Sequence, residues 1–315
     1  MTAPVILRAP VLLDGSRLNR RVTVSPHMCG GSSSIFAQLG DWTWETVSAA
    51  CGTNVYDART ADGLPAYLSF YYFHVRGSTE THPHGLTFGD ELSVTSRVFD
   101  FGGESVLTLH RLTRADAAPE ALDPVEFYER PRADSLYVQN FNRWISRGRP
   151  DSNEALVRSS PPDFRHDHLP VLPERYSPRA IASRARKNAS FHPDGIPGYV
   201  VGEELTCDYD LDVVHDFNGV GLLYFASYFS IIDTALLRLW RELGRGDREF
   251  LARRILDHKL GYFGNADFGA RLSIGVRLWR RAGVPGDEIA DVTVREARSG
   301  RLLAVSAIHL LREQA

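Results

Sequence analysis

From Gly219 to Ile232 fourteen consecutive residues carry no charge, and the run ends only at Asp233. Fourteen is short of the roughly 20 residues that cross a bilayer, so the run reads as part of a buried helix. Extended from Val220 to Leu243, that helix is apolar on almost every side. Such a helix needs cover around most of its circumference, and a curled antiparallel sheet supplies it. The first half of the chain carries a second helix of the same kind. Ile35, Phe36, Leu39, Trp42, Val47, Ala50 and Cys51 recur at roughly helical spacing after Ser32-Ser33-Ser34, and Gly52 is placed to stop the helix.

Strand-like runs flank both helices. Arg21 to Ser25 precedes the first, and Ala66 to Arg76, Glu91 to Phe101 and Ser105 to Arg114 follow it, the last two joined at Gly102-Gly103. Glu204 to Val214 precedes the second, and Ala270 to Arg281, Ala290 to Ala297 and Leu302 to Leu311 follow, with a turn at Ser299-Gly300. Between the halves, residues 115–200 turn to proline, aspartate and arginine and read as a long connection. Two landmarks recur with equal internal spacing: His27 and Gly31 with His215 and Gly219, and Arg97 and Gly102 with Arg295 and Gly300. The expected fold class is therefore α+β, a tandem (double) hot-dog fold in which each copy is a long central helix wrapped by an antiparallel sheet. The expected organisation is 1–114 for the N-terminal copy, 115–200 for the connection and 201–315 for the C-terminal copy, with one sheet shared by both.

Composition narrows the function classes. A formal charge of −3 gives no general attraction to nucleic acid or an anionic membrane. Cys29, Cys51 and Cys207 are far apart and make no C-x-x-C pattern, which excludes a disulfide scaffold and a structural zinc site and suits a reducing cytosol. The opening residues MTAPVILRAPVLLDGSRLNRR read as no signal peptide, so a cytoplasmic location is expected.

Chemistry is expected where each helix begins. Gly30, Gly31 and Ser32 precede the first helix, and Asn218 and Gly219 the second. Free backbone N–H groups and the helix dipole at such turns can form an oxyanion hole for a thioester, and glycines and serines also simply cap helices. His27 and His215 precede these turns, where a dehydratase-type hot dog carries its general base; each also suits a structural hydrogen bond. Asn218 can donate to a carbonyl or serve left-handed turn geometry. Alternation along Ala66 to Arg76 puts Tyr67, Ser69, Tyr71 and Phe73 on one face. A tyrosine near an oxyanion hole can donate a proton or, once ionised, act as a nucleophile. Gly40-Asp41-Trp42-Thr43-Trp44 reads first as core. His82-Pro83-His84 and His166-Asp167-His168 lack further ligands at metal spacing, so no metal is expected. Arg179, Arg184, Arg186 and Lys187 form a basic cluster that could meet phosphates of coenzyme A or an acidic carrier protein, or solvent alone.

Taken in order, SPHMCGGSSS, GDWTWETVSAACG, PAYLSFYYFHVRG and HDFNGVGLLYFASY resemble the LnmK family of leinamycin-type polyketide pathways, over essentially the whole chain. The resemblance implies a double hot-dog enzyme that is both acyltransferase and decarboxylase. Such an enzyme removes CO₂ from methylmalonyl-CoA and passes the propionyl group to the phosphopantetheine thiol of an acyl carrier protein, with no bound cofactor. The family's acyl-accepting tyrosine matches Tyr67, with Tyr56 as second choice. Two other classes stay open: a hot-dog dehydratase or thioesterase using His27 or His215, and a non-catalytic module that binds an acyl chain or carrier. Whether the chain forms a homodimer also stays open.

Overall fold

The computed structural model describes residues 10–29, 32–114 and 121–312. The chain divides into two compact units, Met1–Ser69 with Val75–Ser146 and Arg158–Ser177, and Phe70–His74 with Arg147–Val157 and Pro178–Ala315. In chain order the elements are β1 (Val11–Asp14), β2 (Arg17–Thr23), α1 (Ser32–Cys51), β3 (Tyr67–Arg76), β4 (Glu91–Asp100), β5 (Ser105–Arg114), α2 (Pro124–Tyr128), β6 (Leu136–Arg147) and β7 (Leu156–Arg158). They continue with α3 (Pro178–Asn188), β8 (Tyr199–Asp210), α4 (Ser227–Glu242), α5 (Asp247–Ala252), β9 (Arg254–Tyr262), β10 (Arg271–Arg281), β11 (Asp287–Glu296) and β12 (Leu302–Leu311). The units do not follow the boundaries expected at residues 114 and 200; β3 itself is divided between them.

In the first unit the antiparallel order is β1-β2-β4-β5-β6. Along α1 the residues at helical spacing, Ile35, Phe36, Leu39, Val47 and Cys51, are almost completely buried. The helix contacts β4 and β5. Gly52 ends it with φ +66°, a conformation glycine adopts at no steric cost. Beneath α1 lies a closed polar cluster. The Thr43 hydroxyl donates to the Leu39 carbonyl at 2.8 Å and accepts from the Asn140 side-chain amide at 2.5 Å. His110 Nε2 is 2.9 Å from the same oxygen and Nδ1 is 2.7 Å from Ser96 Oγ. With the Thr43 proton already committed, Nε2 carries the ring proton and Nδ1 accepts, the neutral tautomer. Full burial agrees, pushing the His110 pKa down to about 3.

In the second unit the order is β8-β10-β11-β12-β9, again antiparallel throughout. α4 buries Tyr228, Phe229, Ile231, Ile232, Ala235, Leu236, Leu239 and Trp240 and contacts β8 and β10. The tandem hot-dog expectation holds, each unit setting a central helix on an antiparallel sheet. The central helix of the second unit is shorter than expected, because residues 217–223 form a turn closed by an isolated bridge between Phe217 and Leu223. Leu222, Leu223 and Phe225 are buried where the chain leaves this turn, whose tip at Gly219 and Val220 is exposed, and their apolar character reflects that burial and not a helix. Among the described residues no helix is long and apolar enough to cross a membrane.

The strand order repeats: β2-β4-β5-β6 in one unit and β8-β10-β11-β12 in the other. The hairpin between β4 and β5 therefore corresponds to the one between β10 and β11. This corrects one landmark, since Arg97 and Gly102 lie on the β4–β5 hairpin but Arg295 and Gly300 lie on β11–β12. Gly102 and Gly300 share positive φ, +90° and +70°, because both close tight hairpins, and not because they are equivalent positions. β6 and β9 account for the slip, as neither was expected from sequence.

Candidate active site

The chain reverses sharply after α1, and the reversal carries Tyr56 back along the helix. Val55, 8% exposed, is anchored in the core, and its N–H donates to Ser48 Oγ at 3.3 Å. The Asn54 side chain accepts the Tyr56 N–H at 3.1 Å, an Asx turn. Tyr56 thereby meets Trp44 edge to face, ring centroids 6.2 Å apart at 84°. The Trp44 indole N–H in turn donates to the Leu68 carbonyl at 2.9 Å. Tyr67 precedes Leu68 and is half-buried at the start of β3, so Trp44 links the neighbourhoods of both candidate tyrosines.

Asp41 and Glu45 stand one helical turn apart beside Trp44. Arg20, 5% exposed on β2, pairs with Glu45, and its other amino group reaches Thr46 Oγ1 at 3.2 Å and the Trp42 carbonyl at 3.4 Å. Burial, then the charge of Glu45, raises the Asp41 carboxyl above its ordinary value. Tyr56 is 61% exposed. Partial desolvation first, then the charges of Glu45 and Asp41, raise its phenol, while Arg20 pulls the other way. The outcome is a phenol that keeps its proton beside a carboxyl that also holds one more readily than usual. Gly40 to Trp44 is thus more than core. The sequence signal was an acidic pair four residues apart on a helix that is otherwise engulfed.

The turn around Asn218 and Gly219 commits several of its backbone N–H groups to the protein itself. Asn218 Oδ1 accepts the N–H groups of Val220 at 3.2 Å and Leu222 at 3.0 Å, and the Asn218 carbonyl accepts that of Gly221 at 2.8 Å. Leu223 N–H donates to Asn265 Oδ1 at 3.0 Å. The N–H groups of Val220, Gly221, Leu222 and Leu223 are thus committed to protein acceptors and not to a substrate oxygen. Asn218 is not left-handed either; that conformation falls to Gly221, φ +74°. Nor does the turn open a helix, since α4 starts at Ser227. Asn218→Ala is expected to lower stability by about 1–2 kcal/mol by leaving the backbone N–H groups of Val220 and Leu222 without their side-chain acceptor, read by thermal melting, with acyl transfer retained.

The remaining expected residues are dispersed. His27 is exposed in a 3-10 turn at Pro26–Cys29. His215 is exposed and lies 3.0 Å from Asp212, so neither histidine is buried beside a helix start. Gly30 and Gly31 lie outside the described residues, and Ser32 begins α1. His166 Nδ1 is 2.9 Å from Asp100, and His168 Nε2 is 2.9 Å from the Ala50 carbonyl. Arg179, Arg184, Arg186 and Lys187 are exposed on α3. On α4 the mid-helix carboxylate, Asp233, is bound at 2.7 Å by Arg253, which is 1% exposed. The acidic face with a tyrosine beside it therefore belongs to α1.

Several solved structures share the fold. The protein described as an oleoyl thioesterase from Lactobacillus plantarum is 8% identical, over 95% of this chain and 96% of that one, with a TM-score of 0.60. The 12:0-ACP thioesterase from Umbellularia californica is 10% identical over 94% of each chain, TM-score 0.56. An acyl-ACP thioesterase from Bacteroides thetaiotaomicron is 13% identical over 93% of this chain and 97% of that one, TM-score 0.51. At such identities the likeness is one of fold. No curated protein matches the sequence. The family model described as the LnmK N-terminal hot dog fold domain matches residues 19–193. That stretch holds α1, Tyr56, Tyr67 and Arg20, and it spans more than half of the sequence: the chain belongs to the LnmK N-terminal hot dog fold family.

Proposed function

We propose that the protein decarboxylates methylmalonyl-CoA and transfers the resulting propionyl group to the phosphopantetheine thiol of an acyl carrier protein. The observation that carries this reading is the Tyr56 phenol set edge to face on Trp44 of α1, in the field of Asp41 and Glu45, within the stretch that matches the LnmK family. Loss of CO₂ from a malonyl-type thioester leaves its electron pair on the enolate. An acidic surround disfavours the substrate carboxylate relative to neutral CO₂.

The enolate is a far stronger base than any carboxylate at the site, so it takes the Tyr56 proton at carbon and becomes propionyl-CoA. The phenolate then attacks the thioester carbonyl, the C–S bond breaks, and coenzyme A leaves as a thiolate. Attack by the carrier thiol on the tyrosyl ester forms propionyl-carrier and returns the proton to Tyr56. A raised phenol pKa suits this order, because the nucleophile stays masked until decarboxylation supplies the base. Tyr67, first in the sequence match and half-buried at the start of β3, is the alternative acceptor.

Asp41 supports a second reading, thioester hydrolysis, in which its carboxylate activates a water. The three similar solved structures are all described as thioesterases, although His27 and His215 now offer that chemistry little. Incubation with methylmalonyl-CoA and a phosphopantetheinylated carrier separates the two. The expected result is CO₂ release and a carrier heavier by one propionyl group; free acid with an unmodified carrier would establish hydrolysis instead.

A further inference from the structure

Many cations of the second unit are neutralised locally. On and around its sheet, Arg245, Arg271, Arg277, Arg280, Arg281 and Arg312 each have a carboxylate partner. α3 is different: it carries Arg179, Arg184, Arg186 and Lys187 on its exposed side and no acidic residue at all. Among the described residues Arg184, Arg186 and Lys187 have no ion-pair partner. In a chain of net charge −3, this is a local positive field and not one sample of a basic surface.

The helix is held so that this face points outward and stays put. Pro178, Ala182 and Ala185 are buried, and α3 contacts β9 and β12. At its end Ala189 turns left-handed with φ +51°. Ser190 then donates its N–H to the Ala185 carbonyl at 3.3 Å and its hydroxyl to Asp291 on β11. Helical spacing sorts the exposed side into two rows, Arg179-Ser183-Arg186 and Ala180-Arg184-Lys187. From Arg179 to Lys187 the rows run about 12 Å along the axis, with the small residues Ala180 and Ser183 letting another helix come close.

We propose that this face of α3 docks the acyl carrier protein of the reaction, through an exposed helix of that partner lined with aspartate and glutamate. The inference rests on the carrier-dependent reading above and adds to it the surface the carrier recognises. Charge complementarity over two rows fits an extended acidic helix better than a single phosphate group, and a fixed helix loses little freedom on binding.

The test is binding without turnover: a fluorescently labelled, phosphopantetheinylated polyketide acyl carrier protein titrated with the full-length chain. The wild type is expected to bind, more weakly as salt is raised. The triple variant Arg184→Glu, Arg186→Glu, Lys187→Glu is expected to raise Kd by about tenfold or more, while the KM for methylmalonyl-CoA is unchanged. The corresponding triple glutamine variant, with an unaltered melting curve, is expected to weaken binding less. No binding by the wild type, or an equal Kd in the glutamate variant, overturns the proposal. So does a KM for methylmalonyl-CoA that rises at constant carrier Kd, which would make the cations a coenzyme A phosphate site. Absence of CO₂ from methylmalonyl-CoA instead overturns the reaction, and the binding measurement still decides the docking surface by itself.

Discussion

Tyr56→Phe is expected to abolish the propionyl adduct on the intact protein and to lower propionyl transfer by about 100-fold or more. The substitution removes one oxygen from a ring that is 61% exposed, so the melting temperature should stay near that of the wild type. Trp44 still meets the ring edge to face, and the Asx turn that holds residue 56 uses only its backbone. Tyr67→Phe is expected to keep the adduct. The measurement is mass spectrometry of the intact chain after brief mixing with methylmalonyl-CoA, alongside CO₂ release. An adduct that persists in Tyr56→Phe and vanishes in Tyr67→Phe would move the acyl acceptor to β3 and leave the α1 carboxylates without the role given them.

The second large effect is on stability, and it comes from buried histidines. Burial lowers His110 to about 3 and His258 to about 4 from an ordinary 6.5. The folded chain therefore keeps both rings neutral where the unfolded chain has begun to protonate them. Their contribution is fully present above pH 6.5 and is lost as pH falls from there toward 4. Each ring contributes a slope of about 1.4 kcal/mol per pH unit well below 6.5, out of a typical total of about 5–15 kcal/mol. The raised carboxyls of Asp41 and Asp291 act in the opposite sense. Since His110 lies in the first unit and His258 in the second, both should weaken in acid. Calorimetry between pH 7 and 5 should show a melting temperature that falls steeply. His110→Gln should flatten the first unit's share, because an amide can still reach Ser96 and Thr43. A His110 ring that titrates near 6.5 by NMR would remove the basis for this expectation.

Much of the first unit was legible in the sequence, since α1, β3, β4 and β5 carry clean periodicities and Gly52 and Gly102 mark their ends. The two strands that escaped did so for the same physical reason. β6 interleaves Gln139, Asn140 and Asn142 with its apolar residues, and β9 carries Asp257, His258 and Lys259 in succession. Asn140, Asp257 and His258 each meet a partner distant in sequence. Asn140 meets Thr43, Asp257 sits between His74 and Lys259, and His258 Nε2 is 2.9 Å from Ser306. A local window has no access to such partners. The turn before α4 misled in the opposite way, because burial made a loop as apolar as a helix. At the site, Tyr56 was reachable only through the family resemblance, and the weight of Asp41 and Glu45 became visible once the reversal at Gly52 set a phenol beside them.

The repeated strand order has a consequence for stoichiometry. A homodimer of single hot dogs presents every surface twice, so a full complement of acyl groups would be two per pair of folds. Here the acidic face lies on α1 with Tyr56 beside it, while the mid-helix carboxylate of α4 is locked by a buried arginine. On the proposed reaction the two folds of one polypeptide use the one phenol of Tyr56, and active-site titration is expected to saturate at one propionyl group per chain. The other fold is released from keeping a matching centre, which leaves its sequence free to specialise in partner recognition.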